Sequence, residues 1–265
     1  MKISVLTPAF NSVATLQKAI DSVMCQSYSC WEHIVVDAGS EDGTLEVLKA
    51  NTHLVWVSEP DQGQSDAMNK AFRRSTGDII VYLNADDYFY PEAFKRIVDA
   101  FKTSPEVSII VGAIDCIYEG TLHTHSNFTV SWKDLSVLKG RFPINPVGYF
   151  YKRQVQEKIG DFPIKEHFTM DYWFLLRAFY LFKPKKIDVI LGVFVFSKTN
   201  KSYTINSEYK LQMPHALKFC LRYTPWRLIF VTYKLLVHPK RSFSIAYKIK
   251  RKCYTFLHDL KHNFK

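Results

Sequence analysis

Asn84-Ala-Asp86-Asp87 follows the apolar run Ile79-Ile-Val-Tyr-Leu83 and sets two carboxylates side by side where a strand would end. Neighbouring carboxylates at such a place are hard oxygen ligands of the kind Mg²⁺ or Mn²⁺ takes, and an ion so held can bridge a diphosphate. It would act as a Lewis acid and steady charge on a departing phosphate. The same aspartates also suit a turn that caps a helix begun at Pro91, since Asp is favoured at helix starts. Asp171 is the second candidate. Met170-Asp171-Tyr172 opens an aromatic helix containing Trp173, Leu176, Phe179 and Tyr180. Among Phe168, Tyr172 and Trp173 its carboxylate would be partly desolvated, which raises its proton affinity and suits a general base. An aspartate there also serves as an N-cap or a partner of the helix dipole, and the residues alone leave both readings open.

Other chemistries find few residues. The ten glycines include no pair at i and i+2, so G-x-G-x-x-G is absent, and no G-x-x-x-x-G-K-[ST] occurs either. A bound phosphate must then be neutralised another way, and a carboxylate-held cation is the obvious one. His123 and His125 can share a strand face, but no further ligand stands at readable spacing, so a polar strand face is the plainer reading. Cys25, Cys30, Cys116, Cys220 and Cys253 are odd in number and lack CxxC spacing, which reads as reduced thiols in a cytosolic protein. No G-x-S-x-G or Cys/His arrangement suggests covalent catalysis.

Holding these groups requires a frame, and residues 1–116 provide it by alternation. Ile3 to Thr7 is a β-branched run, and Leu16, Ala19, Ile20, Val23 and Met24 then repeat at helical spacing. His33 to Asp37 predicts a second strand, Thr44 to Lys49 a short helix, Leu54 to Ser58 a third strand and Gln64 to Ser75 a third helix. Asp78 to Asn84 predicts a fourth strand, a helix follows from Pro91 with Phe94, Ile97, Val98 and Phe101 on one face, and Val107 to Cys116 predicts a fifth strand. Such alternation implies an α/β fold with a mostly parallel central sheet flanked by helices. Polar side chains at the carboxyl ends of parallel strands line the ligand crevice. Thr7 and Asn11, Asp37 to Asp42, Glu59 to Asp61, and Asn84 to Asp87 all fall there. Residues 117–206 are less regular.

Charge divides the chain at the same point. Residues 208–265 hold 13 basic and 2 acidic side chains, a net of +11, while the rest hold 22 and 23. Trp226, Ile229, Phe230, Tyr233, Leu236 and Val237 fall on one face of a helix started by Pro225, and a second basic, aromatic helix is expected after Pro239. Basic amphipathic helices rich in aromatics suit an anionic membrane surface, or they pack their apolar faces on the body and leave a solvated outer face. No apolar run reaches the length of a membrane span, and no secretory signal peptide is expected, because Lys2 to Thr7 already reads as a strand. A near-neutral body counts against a nucleic-acid partner.

Six segments occur in order: Ser4 to Asn11, Val35 to Thr44, Glu59 to Gly63, Asp66 to Lys70, Thr76 to Asp78 and Leu83 to Asp87. Together they resemble family 2 glycosyltransferases of the GT-A (Rossmann-like) fold, bacterial surface-polysaccharide enzymes in particular. Pro146 to Arg153, Ile159-Gly-Asp-Phe162 and Met170 to Tyr172 resemble the acceptor half of that family, so the likeness covers about residues 1–182. With the composition shift near residue 207, this gives a GT-A domain over 1–206, with a nucleotide-sugar half at 1–116, an acceptor half at 117–206, and the basic segment at 207–265 outside it.

The resemblance implies an inverting transfer from a nucleotide-sugar donor, with UDP as the nucleotide, to a hydroxyl of a glycan or lipid-linked acceptor. It assigns Thr7, Pro8, Ala9 and Asn11 to the segment that holds the nucleotide, and Asp37 to the base or ribose. Asp66, Asn69 and Lys70 match the helix start beneath the donor, Asn84 and Asp86 its diphosphate end, Asp86 and Asp87 the ligands of Mn²⁺ or Mg²⁺, and Asp171 the general base. Asn84 stands where many members carry an aspartate, which leaves Asp86 and Asp87 as the main ligands; Val147-Gly148 stands where close relatives often have His-Gln. The expected location is cytoplasmic, peripheral on the inner face of the cell membrane. Two other readings compete. A sugar-phosphate nucleotidyltransferase would need a Gly- and Lys/Arg-rich loop after the first strand, and Thr7 to Ser12 holds neither. A non-catalytic binder would grip nucleic acid through the basic, aromatic segment.

Overall fold

Short β-branched segments with apolar residues on both faces pair side by side at the centre of this chain. The computed structural model describes residues 1–126, 128, 130–135, 143, 145–165 and 170–197. The chain divides into two compact units, Met1–Ala216 and Leu217–Lys265, and the described residues all belong to the first. The basic segment expected at 207–265, the boundary expected at 206, and Phe168 lie outside the described residues.

Four strands form the first half of the sheet: β1 (Ile3–Ala9), β2 (Trp31–Asp37), β3 (Val55–Ser58) and β4 (Ile79–Tyr82). β1 lies between β2 and β4, parallel to both, with Ile3 opposite Trp31 and Ile79, and β3 runs parallel beyond β2. The connections are α1 (Leu16–Met24), α2 (Thr44–Ala50) and α3 (Gln64–Arg74). α1 has only nine residues, too few to persist alone in water, so packing must hold it. Its Leu16, Ala19, Ile20 and Val23 are buried at i, i+3, i+4 and i+7. Leu16 and Ile20 join Ala9, Val35, Leu48, Leu54 and Ala85 in one apolar cluster. Each such large side chain contributes about 1.5–3 kcal/mol by leaving water.

The alternation then breaks. A two-residue strand β5 (Tyr88–Phe89) precedes α4 (Ala93–Thr103), and a long β6 (Ile109–Tyr118) pairs with β7 (Thr121–His125). After α5 (Trp132–Leu135) and a 3₁₀ turn at Pro146–Gly148 come β8 (Tyr149–Lys152), α6 (Arg153–Ile159), α7 (Met170–Leu181) and β9 (Pro184–Phe196). The sheet runs β3-β2-β1-β4-β8-β6-β9-β5, with β7 beside β6. β8 is antiparallel to both β4 and β6, whereas β9 is parallel to β6. The α/β architecture is therefore as expected, but the sheet is parallel only through its first four strands and mixed beyond them. The fifth predicted strand is the sixth observed, and its start falls two residues later. The helix expected from Pro91 begins at Ala93, within the usual scatter of helix ends.

Period-two alternation divides β8 between two layers. Phe150 packs edge-on and tilted against Phe89 and Phe94 on one face. Tyr149 and Tyr151 point to the other, where Tyr151 meets Phe174 of α7 at 4.9 Å, and Phe174 stacks on Phe162 at 4.4 Å. On β9, a Cβ at Gly192 would lie 2.5 Å from the Tyr88 carbonyl oxygen and 2.8 Å from Val147. Only glycine lets β9 come this close to β5 and the 3₁₀ turn.

Candidate active site

Because β1 to β4 are parallel, their carboxyl ends share one edge of the sheet, the place where open α/β sheets receive ligands. Thr7 is fully buried there, and its hydroxyl shares a 2.9 Å hydrogen bond with Nε2 of His33, tying β1 to β2. Burial, then the nearby charge of His53, pushes the His33 pKa down to about 3, so the ring is neutral. Pro8 pairs with Val36, and the Ala9 carbonyl accepts from the Ala38 N–H at 2.9 Å. Asn11 adopts a left-handed φ of 46°, which asparagine tolerates better than most residues. Its backbone N–H donates to Ser40 Oγ (2.7 Å) and its side-chain oxygen accepts from the Glu41 N–H (3.1 Å).

Asp37 ends β2 fully buried, with both oxygens engaged inside the protein. Oδ2 accepts from the N–H groups of Gly39 (3.0 Å) and Ser40 (2.9 Å) and from the Ser58 hydroxyl (2.6 Å); Oδ1 accepts from the Ser40 hydroxyl. Asp37 and Asn11 thus shape the loop after β2 from two sides.

The helix expected beneath the donor is laced to the loop before it. Asp66 accepts from the Gln62 N–H at 3.1 Å and faces Lys70 Nζ at 3.4 Å. Lys70 also donates to the Pro60 carbonyl (2.8 Å) and pairs with Glu59 (3.3 Å). Asn69 turns the other way. It is buried, and it donates to the Phe162 carbonyl (2.9 Å) while accepting from the Phe162 N–H (2.8 Å). That bidentate clamp joins α3 to the segment before α7.

A chain of hydrogen bonds gathers the remaining candidates. Gln64 Nε2 donates to Asn84 Oδ1 at 3.0 Å, and Asn84 Nδ2 donates to Asp87 Oδ2 at 2.9 Å. Asn145 Nδ2 donates to the same oxygen at 2.7 Å, and the Val195 N–H donates to Oδ1 at 2.9 Å. One residue along α3 from Gln64, the Ser65 hydroxyl donates to Met170 Sδ at 2.9 Å. Adjacent Asp171, half-buried, accepts from the Tyr149 hydroxyl at 2.9 Å. The starts of α3 and α7 and the Asn84–Asp87 turn are therefore one connected arrangement. His123 and His125 lie on β7, and Cys25, Cys30 and Cys116 are free thiols.

Gln64, Ser65, Asn145 and Tyr149 were not among the sequence candidates. Asn145 carried a signal, since Asn before Pro is a turn starter, and here it caps the 3₁₀ turn by accepting from the Val147 N–H. Tyr149 lies within the Pro146 to Arg153 segment of the resemblance, but in Tyr149-Phe-Tyr its type reads as core.

Burial pushes Asp87 up to about 7, helped by the charge of Asp86 and opposed by its hydrogen bonds, and burial raises Asp86 as well. Two adjacent carboxylates that resist ionising together suit a divalent cation, which would favour their charged forms. Asp87 spends both oxygens on three protein donors and so anchors the turn. Among the described residues no group of three or more His, Cys, Asp or Glu side chains could hold a metal. The carboxylates present, Asp86 and Asp87, are hard oxygen donors of the kind Mg²⁺ or Mn²⁺ takes, with water and phosphate completing the shell.

The Glycosyl transferase family 2 profile matches residues 4–181. An uncharacterized glycosyltransferase of Mycobacterium tuberculosis is 30% identical over 196 residues, covering 72% of this chain and 74% of that protein. One of Nostoc is 36% identical over 115 residues, but these make up 42% of this chain and only 36% of the relative's length. Among solved structures, Staphylococcus aureus TarS 1-349 in complex with UDP-GlcNAc matches with a TM-score of 0.68 at 17% identity, over 82% of this chain and 65% of that one. Glucosyl-3-phosphoglycerate synthase from M. tuberculosis, in complex with Mn²⁺, UDP and phosphoglyceric acid, matches with a TM-score of 0.61 at 20% identity, over 83% and 78%. The chain belongs to glycosyl transferase family 2, and its fold is that of the GT-A glycosyltransferases.

Proposed function

We propose that the protein is an inverting glycosyltransferase. It moves a sugar from a UDP-sugar to a hydroxyl of a glycan or lipid-linked acceptor in bacterial surface-polysaccharide synthesis. The observation that supports this reading is the set of hydrogen bonds by which α3 meets both the Asn84–Asp87 turn, through Gln64, and Met170 at the start of α7, beside Asp171. UDP and Mn²⁺ are chosen because UDP-GlcNAc is bound to TarS, and UDP and Mn²⁺ to the mycobacterial synthase.

The loops after β1 and β2 and the first turn of α3 receive the nucleotide and its sugar at the carboxyl edge of the sheet. Asp37 and Asn11 act here by holding the loop in shape. Asp86, with Asn84 and Asp87 behind it, would hold Mn²⁺ or Mg²⁺, which supplies electrostatic stabilisation of the departing diphosphate. Asp171 takes the proton of the acceptor hydroxyl. That oxygen forms its bond to the anomeric carbon on the face opposite the breaking bond to the diphosphate, and so inverts the configuration. The basic segment would keep the enzyme peripheral on the inner face of the cell membrane, beside lipid-linked acceptors.

The test is UDP release by the full chain from a panel of UDP-sugars with Mn²⁺ and a bacterial lipid extract. Asp86→Ala and Asp171→Asn are each expected to lower turnover at least 10²-fold with the fold intact by circular dichroism. Wild-type turnover in either variant removes that residue from the mechanism.

A further inference from the structure

We propose that Tyr149 is a positioning residue for Asp171, its hydroxyl fixing one carboxylate oxygen so that the side chain is held ready to accept a proton. This rests on the reading of Asp171 as the general base. Tyr149 lies on β8, paired with β6 at Val111, in the middle of the sheet, and is fully buried. Its hydroxyl donates to Asp171 Oδ1 at 2.9 Å. Burial, and then the Asp171 charge, keep that hydroxyl protonated well above its ordinary range, so it is a hydrogen-bond donor at any working pH.

The backbone of Asp171 is already held by its surroundings. Met170 accepts from Ser65, and Phe174 is wedged between Tyr151 and Phe162. Those contacts fix the start of the helix, and the Tyr149 hydroxyl acts on the carboxylate itself, through a bond from a rigid central strand. A proton acceptor misaligned by a rotamer loses much of its rate advantage. A purely structural Tyr149 would need only its ring, which a phenylalanine supplies; the hydroxyl is what the proposal uses.

The experiment uses the full chain labelled with ¹³Cγ-aspartate, in which the Asp171 resonance is identified by its loss in Asp171→Asn. Tyr149→Phe removes one donor to the charged form, so the Asp171 titration midpoint should rise by about one pH unit. In parallel, kcat for UDP release from UDP-glucose or UDP-N-acetylglucosamine with Mn²⁺ should fall about tenfold, with the donor KM within about twofold of wild type. The titratable groups on the elements packed against α7 are Tyr151 and Lys152 on β8, Asp66, Lys70, Arg73 and Arg74 on α3, Lys133 and Asp134 on α5, and Arg153, Glu157 and Lys158 on α6. All are common to both proteins, so a difference between them reports the Tyr149 hydroxyl.

A 3-fluorotyrosine at position 149 keeps the shape and strengthens the donor. It should move the midpoint downward, and it serves if the phenylalanine variant does not fold. An unmoved midpoint in these variants, or an unchanged kcat in Tyr149→Phe beside an inactive Asp171→Asn, overturns the positioning role alone. Wild-type turnover in Asp171→Asn overturns the general-base reading, and the positioning role falls with it.

Discussion

Single carboxylates do three different jobs in this molecule, and their partners tell them apart. Asp37 is consumed by loop donors, Asp87 by donors from three separate segments, and Asp171 meets a tyrosine on a central strand. Glu32 stands at the opposite end of the sheet, at the start of β2. It accepts from Lys2 Nζ (2.7 Å), Ser4 Oγ (2.5 Å) and the Thr76 N–H (2.6 Å). Burial alone would raise its pKa, but these bonds together outweigh it and hold it at about 2, below the ordinary 4.5. A depressed folded-state value means that the stabilisation is fully present above about pH 4.5 and is lost as pH falls towards 2. Glu32→Gln should therefore lower stability at pH 7 by about 1–2 kcal/mol, a modest loss because Lys2 is 39% exposed and partly screened. Urea titrations at pH 7 and pH 3 check this: the gap between the proteins should narrow at the lower pH, and a constant gap would assign the loss to packing.

At the scale of elements, Asn69 decides how the two halves of the site are joined. The family resemblance placed it beneath the donor, whereas its amide grips the Phe162 backbone through two bonds. Asn69→Ala would leave a buried N–H and a buried carbonyl without partners, at a cost of about 2–4 kcal/mol. The expected outcome is a lower urea midpoint with an unchanged slope. Unaltered stability with a raised donor KM would instead make Asn69 a donor contact. The same contrast shows what could be read from sequence. The four parallel strands and the helices between them were legible, because β-branched runs and helical stripes repeat locally. The polar strand ends followed from them, and with them Asp86 and the α3 start. β8 was not legible: Tyr149-Phe-Tyr-Lys152 is short, and its antiparallel place between β4 and β6 is set by partners some 40 to 70 residues away. Asn145 and Tyr149 matter only through that placement. This is why Asp171 was a candidate from sequence and Tyr149, which donates to it, was not.

For the whole molecule, the division of charge makes the reach of the enzyme to its acceptor an electrostatic question. In residues 208–265 only 2 acidic side chains oppose 13 basic ones, a net of +11. Each basic residue close to an anionic bilayer contributes about 1 kcal/mol, so four engaged ones would raise partitioning about a thousandfold. The body gives no comparable attraction, and no helix among the described residues is long and apolar enough to cross a membrane. The full chain should therefore sediment with vesicles containing phosphatidylglycerol and stay in solution with pure phosphatidylcholine. Raising salt from about 0.1 M to 1 M shortens the screening length from about 10 Å to 3 Å, and most of the binding should be lost. Binding that survives the salt would transfer the attachment from charge to the aromatic residues interleaved with it. Equal binding to both lipids at low salt would remove the charge-based attachment altogether.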